Sequence, residues 1–231
     1  TGAGTTYCVT ASVATVSYKI DSSTASTTPV QGVCSGHTAD GYVVNLATNP
    51  SFESGTTGWP GAQASVSQSA VWAANGTSSI KITPTSGAST DSFTSIGCST
   101  CLVGLSVGST YTFSGTINIP TPQTGTLDSR ARTIVAYSWI GASASLLGQS
   151  TATPNTTGST RKSVTFTIPA STDGVQIRLY NGATTVADNS VYWDSVMLTQ
   201  GSTGYSFADG NSPGWVWNGI ANNATSTGPP L

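Results

Sequence analysis

The sequence predicts an all-β protein, folded as an antiparallel sandwich or barrel. Three observations predict it. Apolar residues recur at period two along many short stretches, and none sustains the i, i+3, i+4 spacing of a helix. Clusters of Gly, Pro, Asn, Ser and Thr separate the stretches, which is turn chemistry. Charged residues are 7% and hydrophobic residues 37%, a balance that alone would suggest disorder, but 6 Trp, 8 Tyr and 5 Phe are set largely within the alternating stretches. The reading is a folded chain with a neutral, hydroxyl-rich surface.

In chain order, the first alternation is Tyr7–Ile20, read as one long strand and followed by a Ser/Thr-rich hairpin tip, DSSTASTTPVQG. Further strands are expected at Ser78–Thr83, Thr110–Ile119, Arg132–Ile140, Lys162–Ile168, Gly174–Asn181 and Val191–Thr199. Pro169 cannot donate to a ladder and marks a strand end. Parity then turns Val164, Phe166 and Ile168 inward on one strand and Val175, Ile177 and Leu179 on the next, which leaves Arg178 facing solvent or a groove. Three zones follow: an N-terminal arm at 1–44, a dense strand region at 45–200, and a Gly/Asn-rich tail at 201–231 carrying two Trp. No internal repeat is visible.

The 231 residues suit one large β-domain with extensions, or a domain with a small partner. Net charge is −2 and no basic stretch exists, which argues against nucleic-acid binding. No apolar run reaches the roughly 18 residues of a membrane span. The chain opens Thr1-Gly2-Ala3-Gly4, so either a leader is removed or the numbering begins after processing. A hydroxyl-rich surface poor in Lys fits an extracellular particle or a wall-associated protein better than a cytosolic enzyme.

Residues 45–59, NLATNPSFESGTTGW, resemble the opening of jelly-roll carbohydrate-binding-like modules, in which Asn, a small residue, Phe and an acid precede Gly-Trp. RKSVTFTIPASTDGVQIRLY looks like the late paired strands of such modules, and VYWDSVMLTQG like their closing strand. The tail, YSFADGNSPGWVWNGIANNATSTGPP, is similar to the C-termini of minor tail proteins of phages that infect actinobacteria. The resemblance covers 45–219 and not 1–44. It implies an antiparallel jelly-roll β-sandwich with a C-terminal assembly tail, to which the alternation at Tyr7–Ile20 adds an N-terminal strand arm.

In the resembled modules the acid after the opening Phe and the acid of the closing strand help to hold a structural Ca2+. That carries over to Glu53 and Asp194, with carbonyls near Asn49, Ser51 and Ser78 completing the six to eight oxygens calcium needs. The plain alternative is two acids accepting backbone N–H bonds at turns. Phe52 and Trp59 are expected as core plugs. The four cysteines, Cys8, Cys34, Cys98 and Cys101, allow two disulfides (Cys8–Cys34 and Cys98–Cys101), free thiols, or a zinc site. Disulfides would suit an extracellular protein.

Tyr137, Trp139, Arg178 and Tyr180 with Asn181 form a candidate glycan-binding face, against ordinary packing as the default. Trp215 and Trp217 share a face in a short tail and are expected to anchor on a neighbouring subunit or domain. His37, the single histidine, has Asp40 nearby but no Gly-x-Ser-x-Gly elbow accompanies it, so a hydrolase triad is not expected. Sequons at Asn75, Asn155 and Asn223 are expected by chance in this composition.

The expected function is a non-enzymatic, tail-associated phage virion protein that contacts host cell-wall glycans, neighbouring virion subunits, or both. It would be a homo-oligomer in the virion. The alternatives are the carbohydrate-binding module of a secreted hydrolase and a capsid-decoration or extracellular-filament subunit.

Overall fold

The computed structural model describes residues 8–13, 16–21, 30–31, 42–85, 92–102, 104–183 and 189–229. These hold strands and turns and no helix. The chain divides into two compact units, residues 1–43 and 44–229.

In the first unit, β1 (Cys8–Val13) and β2 (Val16–Asp21) pair antiparallel from Val13↔Val16 to Cys8↔Asp21. The short β3 (Val30–Gln31) adds to β2. The single strand expected over Tyr7–Ile20 is therefore two. The alternation runs on through Ala14-Thr15 without Gly, Asn or Pro, so no turn residue marks the reversal.

The second unit begins within β4 (Val43–Asn45) and continues with β5 (Gly61–Ala62), β6 (Ala64–Ser69) and β7 (Ser79–Pro84). It continues through β8 (Phe93–Gly97), β9 (Thr110–Ile119), β10 (Ile134–Ile140) and β11 (Ser143–Gln149). Then come β12 (Gly158–Thr167), β13 (Gly174–Tyr180), β14 (Val191–Gln200), β15 (Val216–Trp217) and β16 (Ser226–Gly228). Two five-stranded sheets result, ordered β11-β10-β13-β8-β5 and β12-β9-β14-β7-β6. Their named pairings are antiparallel, so the unit is the jelly-roll sandwich that the sequence led one to expect.

The core lies between the two sheets. Alternation supplies it with Tyr111, Phe113, Ile117 and Ile119 from β9, Val164 and Phe166 from β12, and Val175, Ile177 and Leu179 from β13. The corner at 45–59 plugs one end. Phe52 and Trp59 are fully buried with ring centroids 5.3 Å apart, and Trp59 lies 6.5 Å from Phe113. Phe52 has φ 55, costly for a bulky residue, and it is tolerated where the turn must drive that ring inward. On β14 a bulge between Asp194 and Met197, with Ser195 at φ 55, shifts parity so that Trp193 and Val196 both enter the core.

Residues 201–229 belong to this unit rather than standing apart. β15 and β16 join β4 in a three-stranded sheet. Asn45 clamps the tail to the sandwich: its Nδ2 donates to the carbonyls of Val196 and Ala208, and its Oδ1 accepts from Ala47 N and Leu198 N. Ser51 donates to Asp209 Oδ2 at 3.1 Å.

Of the two tryptophans expected to anchor on a neighbour, Trp215 is taken up by its own tail and Trp217 is only partly buried. Trp215 is buried within its own tail, where a Cβ on Gly228 would run into its ring. Trp217 packs over Gly210 in the same way, and its Nε1 donates to Asn211 Oδ1. A glycine facing each indole lets the short tail bury Trp215 and half-bury Trp217, which the spacing of two tryptophans could not reveal.

Candidate functional site

The outer face of the sheet β11-β10-β13-β8-β5 gathers the aromatic and cationic side chains. Period-two alternation turns Ile134 and Ala136 into the core and Val135, Tyr137 and Trp139 outward. On β13 the outward set is Gln176, Arg178 and Tyr180, and on β8 it includes Phe93 and Ser95. The register places Tyr137 beside Gln176, Val135 beside Arg178, and Arg178 beside Ser95.

Arg178 is the centre of this face. Its guanidinium carbon lies 4.2 Å from the Phe93 ring centroid and 4.5 Å from that of Tyr137. Its Nε donates to Gln176 Oε1 at 2.8 Å, and its Nη1 donates to the Tyr180 hydroxyl at 3.0 Å. Gln176 is itself held, donating to Ser95 Oγ at 3.2 Å. From the turn before β10, Arg130 pairs with Asp128 at 2.7 Å and donates to the hydroxyls of Tyr137 and Tyr180. Planar cations and aromatic rings thus fix one another's orientation. Leu146 lies opposite Tyr137 on β11 and is 57% exposed, which extends the face by an apolar rim.

Of the five residues expected to bind glycan, Tyr137, Arg178 and Tyr180 are brought together. Trp139 shares the face one pleat further along β10 and is half-buried; its Nε1 is buried with no hydrogen-bond partner. Asn181 is a correction. It falls on the inward parity of β13 and is fully buried. Its Nδ2 donates to the carbonyls of Ile82 and Asn189, and its Oδ1 accepts from Ala183 N and Gln123 Nε2. It is a strut with no capacity left for a sugar.

Phe93, Arg130 and Gln176 were not foreseen. The short alternation of FTSIG could have revealed Phe93. Arg130 sits in a turn and carries no periodic signal.

Glu53 and Asp194 converge on one turn, residues 74–78. Glu53 Oε1 accepts from Thr77 N and Ser78 N, both at 2.8 Å, and its Oε2 accepts from the Thr77 hydroxyl. Asp194 Oδ2 accepts from Ala74 N and Asn75 N, and its Oδ1 from Ser195 N. Burial pushes the Asp194 carboxyl up to about 7, against the downward pull of these N–H donors. Burial lowers the Arg161 guanidinium from its ordinary value, against the smaller upward pull of the nearby Asp194 charge, and it donates to Ser195 O and Ser114 Oγ.

The fit to calcium is partial. Asn49 Oδ1 is a buried acceptor with no partner, but Ser51 is given to Asp209 and both carboxylates face N–H donors. Among the described residues, no group of three or more His, Cys, Asp or Glu could hold a metal.

Cys98 and Cys101 form a disulfide, which removes the free-thiol and zinc alternatives for this pair. The pairing of Cys8 with Cys34 falls outside the described residues, as do His37 and Asp40. Among the described residues no helix is long and apolar enough to cross a membrane.

Residues 44–190 match the family model described as Carbohydrate binding domain, CBM_4_9. The chain belongs to this carbohydrate binding domain family. No curated protein matches the sequence.

Among solved structures, the carbohydrate binding domain is similar to a xylan-binding domain from CBM 22, at TM-score 0.50 and 16% identity over 70% of this chain and 97% of that one. A second similar structure is a family 16 carbohydrate binding module, at TM-score 0.47 and 20% identity over 67% and 99%. A third comprises the CBM22-1 and GH10 modules of a Clostridium thermocellum endo-1,4-β-D-xylanase complexed with xylohexaose, at TM-score 0.49 and 15% identity. The chain covers 30% of that longer protein, and 72% of this chain is matched. At these identities the likeness shows the fold of the carbohydrate binding domain alone.

Proposed function

We propose that the protein binds a linear glycan on the outer face of the β11-β10-β13-β8-β5 sheet, as a non-catalytic module. The observation that carries this is the Arg178 guanidinium held between the Phe93 and Tyr137 rings, with Tyr180 and Gln176 locking its donors. Aromatic faces stack on the apolar faces of sugar rings, and fixed donors address their hydroxyls. From Leu146 on β11 across Tyr137 and Arg178 to Ser95 on β8, three strand spacings give a floor about 14 Å long, running across the strands. That is room for several sugar units lying across the sheet. Membership of a carbohydrate binding domain family supports the reading.

Isothermal titration with xylohexaose, alongside a glycan array, tests it. Binding to a linear oligosaccharide that is lost in Tyr137→Ala supports the proposal. Binding to no glycan on the array overturns it.

The same proposal places the module on a phage particle, touching host-wall glycans in several copies, since weak sugar contacts gain strength by repetition. That placement rests on the sequence of the tail, in which Trp215 is buried and Trp217 keeps a part-exposed ring. Family membership equally suits a module of a secreted hydrolase. Regular oligomers by negative-stain microscopy favour the particle, and a glycan-binding monomer favours the hydrolase module.

A structural calcium ion is proposed at Glu53 and Asp194 because both acids reach one turn, and Asn49 Oδ1 is a buried acceptor without a partner. The site would supply structure rather than chemistry.

A further inference from the structure

The Cys98–Cys101 disulfide closes a turn directly after β8, at the end of the proposed glycan face. Its position follows from Gly174. That residue shares the outward parity of Gln176, Arg178 and Tyr180, and a Cβ there would run into the backbone of Cys98 and Ser99. The stapled turn therefore passes over the outer face where any side chain at 174 would stand. Trp139 pairs with Gly174 across the ladder, so its indole stands beside the same spot. The turn is tied down at its far end, where Val175 N donates to Cys101 O at 3.0 Å, and Leu102 returns to the core. At the opposite end of the face the Asp128–Arg130 turn reaches Tyr137 and Tyr180. The floor is thus bounded at both strand ends.

We infer that the Cys98–Cys101 disulfide is a positioning element of the glycan face: it holds the end wall beside Trp139, and its reduction weakens glycan binding without unfolding the module. The inference rests on the reading of this face as the glycan site. Both cysteines are half-exposed, so a reductant reaches them. With a dithiol such as dithiothreitol, the Cys98–Cys101 S–S bond breaks and each sulfur leaves as a thiol. The two electrons and two protons come from the reductant, which closes its own cyclic disulfide. The protein ring so opened spans a sequence separation of 3, and the stabilisation lost with so short a loop is at the low end for disulfides. Affinity has more to lose, because an unfixed wall must be ordered again at each binding event.

The test compares wild type, the Cys98→Ser/Cys101→Ser double variant and Tyr137→Ala. Titration with xylohexaose and thermal melting are run on each, and amide hydrogen exchange is followed on wild type before and after reduction and reoxidation. The expected result is roughly fivefold weaker binding in the double variant with a nearly unchanged melting temperature. Without any ligand, reduction should speed exchange at Val175 and over 98–102 and shift tryptophan emission, both reversed on reoxidation. Unchanged affinity in the double variant, with Tyr137→Ala inactive, overturns this inference and leaves the glycan face standing. If Tyr137→Ala binds as wild type, the glycan face itself is wrong. Equal losses of affinity and melting temperature make the disulfide merely structural and also overturn the inference. Should the double variant fail to fold, the exchange and emission changes on reducing wild type decide: their absence refutes the positioning role.

Discussion

Replacing Tyr137 with alanine removes one of the two rings that hold Arg178. The ring is on the outward side of β10, away from the sandwich core, and is only partly buried. Its loss deletes a guanidinium stack at 4.5 Å and an acceptor for Arg130 at 3.2 Å, while the Phe93 stack at 4.2 Å and the hydrogen bonds to Gln176 and Tyr180 remain. The cation–π contact contributes about 0.5–1 kcal/mol at a part-exposed site, so stability should fall by about 1 kcal/mol. Binding should suffer more, since a central aromatic at an interface contributes about 2 kcal/mol or more. That is roughly a thirtyfold rise in Kd for xylohexaose, or for whichever linear glycan the array selects. Titration calorimetry reads the affinity, and circular dichroism confirms that the variant is folded. A folded Tyr137→Ala that binds within twofold of wild type would refute the claim that this face recognises the sugar.

Asn181→Ala should do the reverse: it strands two buried carbonyls and two N–H donors, destabilising by about 3 kcal/mol or more, yet the folded fraction should bind glycan normally. Chemical denaturation and titration separate the two effects. Because burial raises the Asp194 carboxyl from 3.8 to about 7 in the folded state, the folded protein binds the proton more tightly than the unfolded chain, so stability should be highest below about pH 4 and decline as pH rises toward 7. Asp194→Asn, melted across that window in EDTA, should flatten this part of the profile. For calcium, the proposed site predicts a melting temperature several degrees higher in calcium chloride than in EDTA, with the difference abolished in Glu53→Gln; identical melts would show that the N–H donors of residues 74–78 alone satisfy the two acids. Trp215→Ala should destabilise the tail by about 3 kcal/mol while sedimentation shows an unaltered oligomeric state, whereas a change in assembly would restore the indole as an intersubunit anchor.

Local alternation was enough to place β7, β9, β10, β12, β13 and β14, because each combines regular parity with apolar or β-branched residues. It did not yield β6, whose sequence ASVSQS is nearly all small and polar, or β11, whose side chains are largely exposed. Such edge strands carry little hydrophobic signal because only one side of them meets a partner. Parity also brought Tyr137, Arg178 and Tyr180 to one face correctly. It failed for Asn181, a residue adjacent to Tyr180 in sequence and therefore on the other side of the sheet.

The sequence by itself determined the all-β class, the buried corner of Phe52 and Trp59, and the aromatic strand that underlies the proposed glycan face. These depend on the two-residue pleat and on turn chemistry, both local properties. The tertiary structure alone decided which strands became neighbours. It brought Phe93 on β8 within 4.2 Å of Arg178 on β13, aimed Arg130 from the turn before β10 at Tyr180 on β13, and laid the Cys98–Cys101 turn over Gly174. It also gave Trp215 a glycine of its own tail to pack on. Those contacts join residues far apart in the chain through sheet order and register, which no local pattern encodes.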